Sequence, residues 1–356
     1  MGVIWMTEVV LCSNCFKDQG LRIDAFNIGI DKNSLCPQCK TENGRKLNKE
    51  LVEKLAYRFF VRGTLHRTYF GGAPVIQFNE QHYKNSSIDV QKWLEDDIKL
   101  IEDTIKVGFF YYGPRLWMVG EVEPLKKLES KSERHEIINR IMKEYPTRIF
   151  SKKEIIYRLR REPTYPSNFD EYDSPPSEFL GKNRLDSIKL PIMYASQDVE
   201  VCIHECRVTV DDKLFLATLC PTKDLNLLDL TEIIDEDGDV TEFESLDIAV
   251  HMLFFAGERS YKITRKIALT AYQAGFDGLI YPSYFSLFRT GAMPFDSVYG
   301  ISVRKFPSYK THAKSQIIPN IALFGRPIEK KIIAVKCINR LVLNKIKYDV
   351  LFGPVD

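Results

Sequence analysis

Leu47, Leu51, Leu55 and Phe59 recur at four-residue steps through a proline-free segment, the spacing that places apolar side chains on one helical face. Val90, Leu94, Ile98, Ile101 and Ile105 repeat the pattern. Asp89, Glu95, Asp96 and Asp97 lie near the start of that segment, where a helix dipole favours negative charge. A third helix is predicted over about Ser132–Tyr145, stopped by Pro146. Between the first two, Gly71–Pro74 (GGAP) reads as loop, and 107–122 as strand, a turn at Gly113-Pro114, and strand.

Beyond residue 148 the pattern turns to short β-prone runs alternating with helices. Strands are predicted at Ile155–Arg160, Pro191–Ala195, Leu225–Leu230, Gly278–Tyr281, 331–337 and 341–351. A hairpin is predicted from Arg207–Val210 to Leu214–Leu219, turning at Asp211-Asp212. Helices are expected just before Glu205, at 245–256 and at 261–275. No long period repeats, which excludes a solenoid. The expected class is α+β: a small ribbon over 1–45, a mainly helical part over 46–148, and a mixed α/β domain over 149–356.

Composition narrows the function classes. The 356 residues exceed the length at which one core usually stops growing, and 44% hydrophobic with 28% charged residues is ordinary for globular chains. Fifty Lys+Arg against 48 Asp+Glu leave +2, so no global basic field demands nucleic acid or an anionic membrane. The longest apolar stretches, such as Ile248–Ala256, are too short to span a bilayer. The opening MGVIWMTEVVL lacks the basic flank of a signal peptide, and Met6 stands where a myristoylation motif needs Ser or Thr. A cytoplasmic protein with no membrane partner is the expectation.

Two cysteine pairs, Cys12-x-x-Cys15 and Cys36-x-x-Cys39, have twenty residues between them. Thiolates two residues apart can take adjacent corners of a tetrahedron, and two such knuckles close a structural Zn²⁺ site. Cys202, Cys206, Cys220 and Cys337 are scattered and read as buried small hydrophobes. Between Asp229 and Asp247 lie nine acidic residues and no Lys or Arg. Asp235, Asp237 and Asp239 alternate as calcium ligands do. Gly238 precedes the third, where an EF-hand needs its glycine after it, so the run reads as a solvated loop.

There is no G-x-S-x-G elbow, P-loop or dinucleotide fingerprint. What remains is dispersed: Arg158, Arg160, Arg184, Tyr194, Glu205 and Ser283, each with an ordinary structural reading as surface charge, core or turn.

Together they resemble a family. IIYRLR, then GKNRLDSIKLPIMYASQDVEVCIHE, then AYQAGFDGLIYPS are similar to the RES domain, named for an arginine, a glutamate and a serine. The family's asparagine after the serine matches Asn320, displaced by an insertion between Ser283 and Asn320; its glycine-arginine pair is split as Gly181-Lys182-Asn183-Arg184. The resemblance implies an ADP-ribosyltransferase-like fold and a toxin that degrades NAD⁺, by hydrolysis or phosphorolysis of the nicotinamide–ribose bond. Glu205 would stabilise oxocarbenium charge, Arg158 or Arg184 would hold the diphosphate, Tyr194 would stack on nicotinamide, and Ser283 and Asn320 would contact substrate. The first part resembles the extensions of larger RES proteins. Arg62-x-x-x-His66 and the adjacent Arg134-His135 do not fit the spacing of HEPN nucleases, so this part is read as a regulatory or assembly module. An antitoxin or regulator acting there, a homo-oligomer and an anti-phage role are the expected context. Two other readings stand beside this one: an ADP-ribosyltransferase acting on a macromolecule, and a zinc-ribbon nucleic-acid regulator using Lys40, Arg45, Lys46 and Lys49. Nucleic acid is not the expected partner.

Overall fold

The computed structural model describes residues 8–68, 71–112, 122–286, 297–298, 301–346 and 350–355. The expected turn at Gly113-Pro114 and the strand after it lie outside them, as does the part of the last expected strand at 347–349. The chain is mixed α+β and forms two compact units, one of residues 1–68, 72–116 and 348–356, the other of 69–71 and 117–347.

In the first unit, β1 (Leu11–Cys12) pairs antiparallel with β2 (Lys46–Leu47). A helix not foreseen from the sequence, Gln19–Ile28, lies between the two cysteine pairs and is capped by Asp18, whose carboxylate accepts from the Leu21 amide at 2.9 Å. The expected helices form as Lys49–Ala56, capped by Asn48 and prolonged by a wider turn at Tyr57–Val61, and as Glu95–Ile105. Gly71–Pro74 is not loop but β4, beside β3 (Leu65–Thr68); β5 (Ile76–Asn79) pairs with β6 (Gly108–Tyr111). Leu47, Leu55, Phe59, Ile98, Ile101 and Phe109 meet in one core, with Phe352 packed against it. At Gly63 a Cβ would stand 2.3 Å from the Phe352 carbonyl, so only glycine lets the last residues lie there.

The second unit holds two sheets. The larger runs β7 (Thr147–Phe150), β11 (Leu225–Asp229), β12 (Gly278–Pro282), β15 (Pro319–Phe324), β9 (Ile192–Ala195), with only β11 and β12 parallel. The smaller is antiparallel: β16 (Ile333–Leu341), β10 (Leu214–Pro221), β8 (Ile156–Arg161). Two short strands, β13 (Ser297–Val298) and β14 (Ile301–Ser302), pair separately. Side chains alternate between faces as the pleat requires. Leu227, Ile280, Ile321, Leu323 and Met193 fill the core shared with Ala217 and Leu219 of β10. Leu228, Leu279, Tyr281, Ala322 and Ile192 face the helices.

Those helices are Glu123–Glu129, Arg134–Glu144, Leu246–Phe255 and Tyr261–Gln273. The first two, grouped by sequence with the region before 148, bury Leu125, Leu128, Ile137, Ile138 and Ile141 in this second core. The packing therefore divides the chain near 117, not at 45 and 148, and returns the last residues to the first unit. The hairpin expected at Arg207–Val210 does not form. Arg207 ends a helix at φ 48°, and β10 takes β8 and β16 as its neighbours. Of the two closing β runs, the first forms β16, which ends at Leu341; the described residues of the second beyond Leu341, 342–346 and 350–351, are not strand. Of the scattered cysteines, Cys202 and Cys220 are buried, Cys206 is half-buried and Cys337 is exposed. Among the described residues no helix is long and apolar enough to cross a membrane.

Candidate functional site

Helix Val199–Cys206 delivers Glu205. Asp198 starts it, accepting from the amides of Glu200 (2.8 Å) and Val201 (3.3 Å), and Arg207 stops it in the left-handed region. One face lies on β8, where the Cys202 and Cys206 thiols donate to the carbonyls of Tyr157 (3.3 Å) and Leu159 (3.8 Å). The next position round the helix, Glu205, is exposed.

Its Oε1 accepts from Ser283 Oγ at 2.8 Å and from Asn320 Nδ2 at 2.6 Å. Ser283 directly follows β12 and Asn320 lies in β15, where Tyr281 and Asn320 face each other in register. Two residues remote in sequence from Glu205 therefore converge on its carboxylate. Hydrogen bonds to an ionised acceptor are the stronger kind, so they fix its orientation. Both donors use the same oxygen, and Oε2 is taken by neither. Ser283 is fully buried, so its hydroxyl serves Glu205 from behind.

Glu205 and Asn320 line a cavity of about 570 Å³, within the range of small-molecule sites. Five basic side chains, Arg158, Arg160, Lys182, Arg184 and Arg207, line it against two acidic ones, Glu205 and Glu258. Such walls favour an anionic ligand. A larger cleft of about 920 Å³, bordered by Arg140, Arg148, Asp229 and acidic residues of 232–237, holds none of the residues nominated from sequence. Convergent polar groups, not size, single out the smaller cavity.

The arginines are built into its wall. Arg158 is 5% exposed; Nη1 donates to the Tyr194 carbonyl and Nη2 to that of Asp173 at 2.9 Å, while Nε has no partner. Burial, then the charge of Arg160, pulls its pKa below the usual value. Arg160 donates to the carbonyls of Glu171 (2.6 Å) and Asp173 (2.7 Å). Arg184 donates to the carbonyls of Leu253 (3.3 Å) and Ala256 (2.8 Å) and to Ser260 Oγ (3.2 Å), and lies 5.1 Å over the Tyr261 ring. It thus closes the C-terminal end of helix Leu246–Phe255.

Tyr194 is anchored by its hydroxyl, which accepts from the amides of Leu185 (2.9 Å) and Asp186 (3.2 Å) and donates to Asp186 Oδ1 (3.2 Å). Burial, then the Asp186 charge, pushes its pKa far up, so the phenol stays neutral. Asp186, fully buried, was missed from sequence. It also accepts from the amides of Gly181 (2.6 Å) and Asn183 (3.0 Å) and shapes the loop that carries Lys182 and Arg184. The only sequence signal was an aspartate in a turn-rich stretch. Lys182, Arg207, Tyr261 and Tyr284 also line the cavity, and nothing local announces that.

The first unit holds a second constellation. The sulfurs of Cys12, Cys15, Cys36 and Cys39 all lie within 4.8 Å of one another. Neighbouring pairs stand at 3.8 Å (Cys12–Cys15), 3.4 Å (Cys12–Cys39) and 3.5 Å (Cys15–Cys36). Zn–S bonds of about 2.3 Å in a tetrahedron put sulfurs about 3.8 Å apart, so the four fit a metal ion. Burial pushes the thiols of Cys12 and Cys15 up. At Cys39 burial acts the same way, but hydrogen bonds from Thr41 outweigh it and lower the thiol to about 6. Four sulfurs this close ionise together only around a cation. Lys46 is fully buried and donates Nζ to the carbonyls of Glu42 (2.7 Å) and Gly44 (3.0 Å), which removes it from the phosphate contacts of the alternative nucleic-acid reading. Arg45 pairs with Asp31 at 3.4 Å and lies over Phe26.

Residues 155–290 match the RES domain family. Among solved structures, the M. tuberculosis MbcT-MbcA toxin-antitoxin complex is similar at 11% identity and a TM-score of 0.34, covering 58% of this chain and 92% of that chain. No curated protein matches.

Proposed function

We propose, from the premise that residues 155–290 are an RES domain, that this protein cleaves the nicotinamide–ribose bond of NAD⁺. The observation that carries the reading is the Glu205 carboxylate, held by Ser283 and Asn320 at a cavity with a basic wall.

In the proposed step the C1′–N bond breaks and its electron pair stays on nicotinamide, which leaves neutral. Positive charge develops at C1′ and the ring oxygen. A carboxylate already fixed by two donors stabilises that charge without reorganising, so the stabilisation belongs to the transition state. An acceptor lone pair then bonds to C1′; when the acceptor is water, one proton is released. Arg158, Arg160 and Arg184, engaged by carbonyls, supply a positive wall for the diphosphate, and Tyr194 offers its ring while its hydroxyl is held by Asp186. In this reading Ser283 positions Glu205 and does not touch substrate.

Zn²⁺ is the proposed occupant of the four-cysteine cluster, in a structural role, because four protein ligands leave no open position. Depletion of cellular NAD⁺ as a toxin or defence effector, restrained by an antitoxin or regulator acting through the first unit, is the proposed context.

Pure full-length protein incubated with NAD⁺, with products identified by mass spectrometry, tests the reaction and reads the acceptor: ADP-ribose for water, its 1″-phosphate for phosphate, a mass increment for a macromolecule. Glu205→Gln should release nicotinamide about 10²–10³ more slowly while melting as the parent does. An undiminished rate in that variant, or intact NAD⁺ in the parent reaction, overturns the reading.

A further inference from the structure

Two features of the sequence take no part in this mechanism: the acidic run Asp229–Asp247 and the insertion between Ser283 and Asn320. The structure joins them. Arg304 Nε and Nη2 donate to Asp247 Oδ2 (2.6 Å) and Oδ1 (2.8 Å), a bidentate pair whose side chains are 8% and 4% exposed. Lys305 meets Glu236 at 3.4 Å, Lys310 meets Asp235 at 2.6 Å and Lys314 meets Glu232 at 2.5 Å. Glu236 also accepts from the Leu246 amide and from Ser245 Oγ, each at 2.6 Å. The acidic run is therefore tied to the start of helix Leu246–Phe255 as well as to the insertion.

The far end of the clasped segment leads into the site. The Ile318 carbonyl accepts from the Ser283 amide at 2.8 Å, and the Ile318 amide donates to Ser286 Oγ at 2.9 Å. The next residues open β15 and bring in Asn320. The segment held by Arg304, Lys305, Lys310 and Lys314 thus leads directly into the backbone that bonds the Ser283 amide and carries Asn320, the two donors to Glu205 Oε1.

We propose that this ion-pair clasp, centred on Arg304–Asp247, positions the Ser283–Asn320 cradle of Glu205, with Arg304 as a positioning residue. The proposal rests on the reading of Glu205 as the catalytic carboxylate. Two kinds of pair divide the work. The buried fork, with the largely buried Lys305–Glu236 pair beside it, loses little to salt and sets geometry, whereas the more exposed pairs of Lys310 and Lys314 are screened and hold the segment down more weakly.

The test uses full-length protein, with kcat and KM for NAD⁺ read alongside hydrogen exchange at the Ser283 and Ile318 amides. Misplacement of a catalytic group by a fraction of an ångström to an ångström costs on the order of 10–100-fold. Arg304→Ala should lower kcat by that factor with KM nearly unchanged, and should speed exchange at both amides. Arg304→Lys, keeping charge without the fork, should fall between. Lys314→Glu should lower kcat less, and pairing it with Glu232→Lys should restore it, which a loss of bulk stability alone would not produce. Unchanged kcat and exchange in folded Arg304→Ala overturn the proposal; should that variant not fold, the same result in Lys314→Glu does so. Exchange is read without turnover. A chain that shows the exchange shift but leaves NAD⁺ intact therefore loses the functional reading and keeps the clasp.

Discussion

At the scale of single residues, the site depends on how two hydrogen bonds share one oxygen. Removing either donor leaves Glu205 with one, and a hydrogen bond to a charged group is worth about 1.5–3 kcal/mol. Ser283→Ala and Asn320→Ala should each slow NAD⁺ cleavage by roughly 10–100-fold, less than Glu205→Gln, and the double variant should fall short of the product of the two. Initial rates of nicotinamide release check this, and full rates in both single variants would show that the cradle is idle. A second residue speaks to pH. Burial, with Arg304 second, holds the His251 pKa well below 6.5. The unfolded chain takes up a proton near that pH which the folded chain refuses. Stability present above about pH 6.5 is therefore lost as pH falls below it. Urea midpoints at about pH 7.5 and 5.5 should differ in the parent and differ less in His251→Phe.

At the scale of elements, helix Leu246–Phe255 ties the clasp to the cavity wall. Asp247 in its first turn holds Arg304, and the carbonyls at its other end hold Arg184. Both charges suit the helix dipole. Read from sequence, Arg184 is a diphosphate anchor whose loss weakens substrate binding alone. Its hydrogen bonds add a structural duty, since Arg184→Ala strips partners from the Leu253 and Ala256 carbonyls. We expect that variant to lose about 1–3 kcal/mol of stability in addition to any affinity for NAD⁺. Chemical denaturation in the absence of NAD⁺ separates the two, and an unchanged midpoint would return Arg184 to a pure binding role. The hairpin predicted at 207–219 shows how an element can be misread. The alternation that marks Leu214–Leu219 as a strand says nothing about its partner, and that partner is the distant β8 and β16.

For the whole molecule, the packing predicts where the chain can be cut. A fragment beginning at 150 loses helices Glu123–Glu129 and Arg134–Glu144 and uncovers Leu125, Leu128, Ile137, Ile138 and Ile141, each worth about 1.5–3 kcal/mol when buried. It also carries residues 348–356, which belong to the first unit. Fragment 117–347 should therefore melt cooperatively by circular dichroism, whereas 150–356 should not. Removing any metal held by the four-cysteine cluster gives the complementary expectation. Chelation of the whole chain, or Cys36→Ser in it, should unfold the first unit, whereas chelator should leave the cooperative melt of fragment 117–347 unaffected, because that fragment contains none of the four ligands. A change in that melt on adding chelator would tell against a metal confined to the first unit.

Local regularities were legible without coordinates. The paired CxxC spacing foretold the sulfur cluster, the four-residue steps foretold Lys49–Ala56 and Glu95–Ile105, and the β-prone runs foretold β8, β9, β11 and β12. Each depends on neighbours a few positions apart, where backbone geometry alone fixes which side chains share a face. Glu205 with Ser283 and Asn320 could be nominated only through family resemblance. The pairs are 78 and 115 residues apart, and their meeting is set by the order of strands in a sheet. The clasp, the buried Asp186 and the return of Phe352 to the first core were legible nowhere in the sequence. An acidic run looks the same whether water or four basic side chains neutralise it, and only the folded chain brings those side chains within reach.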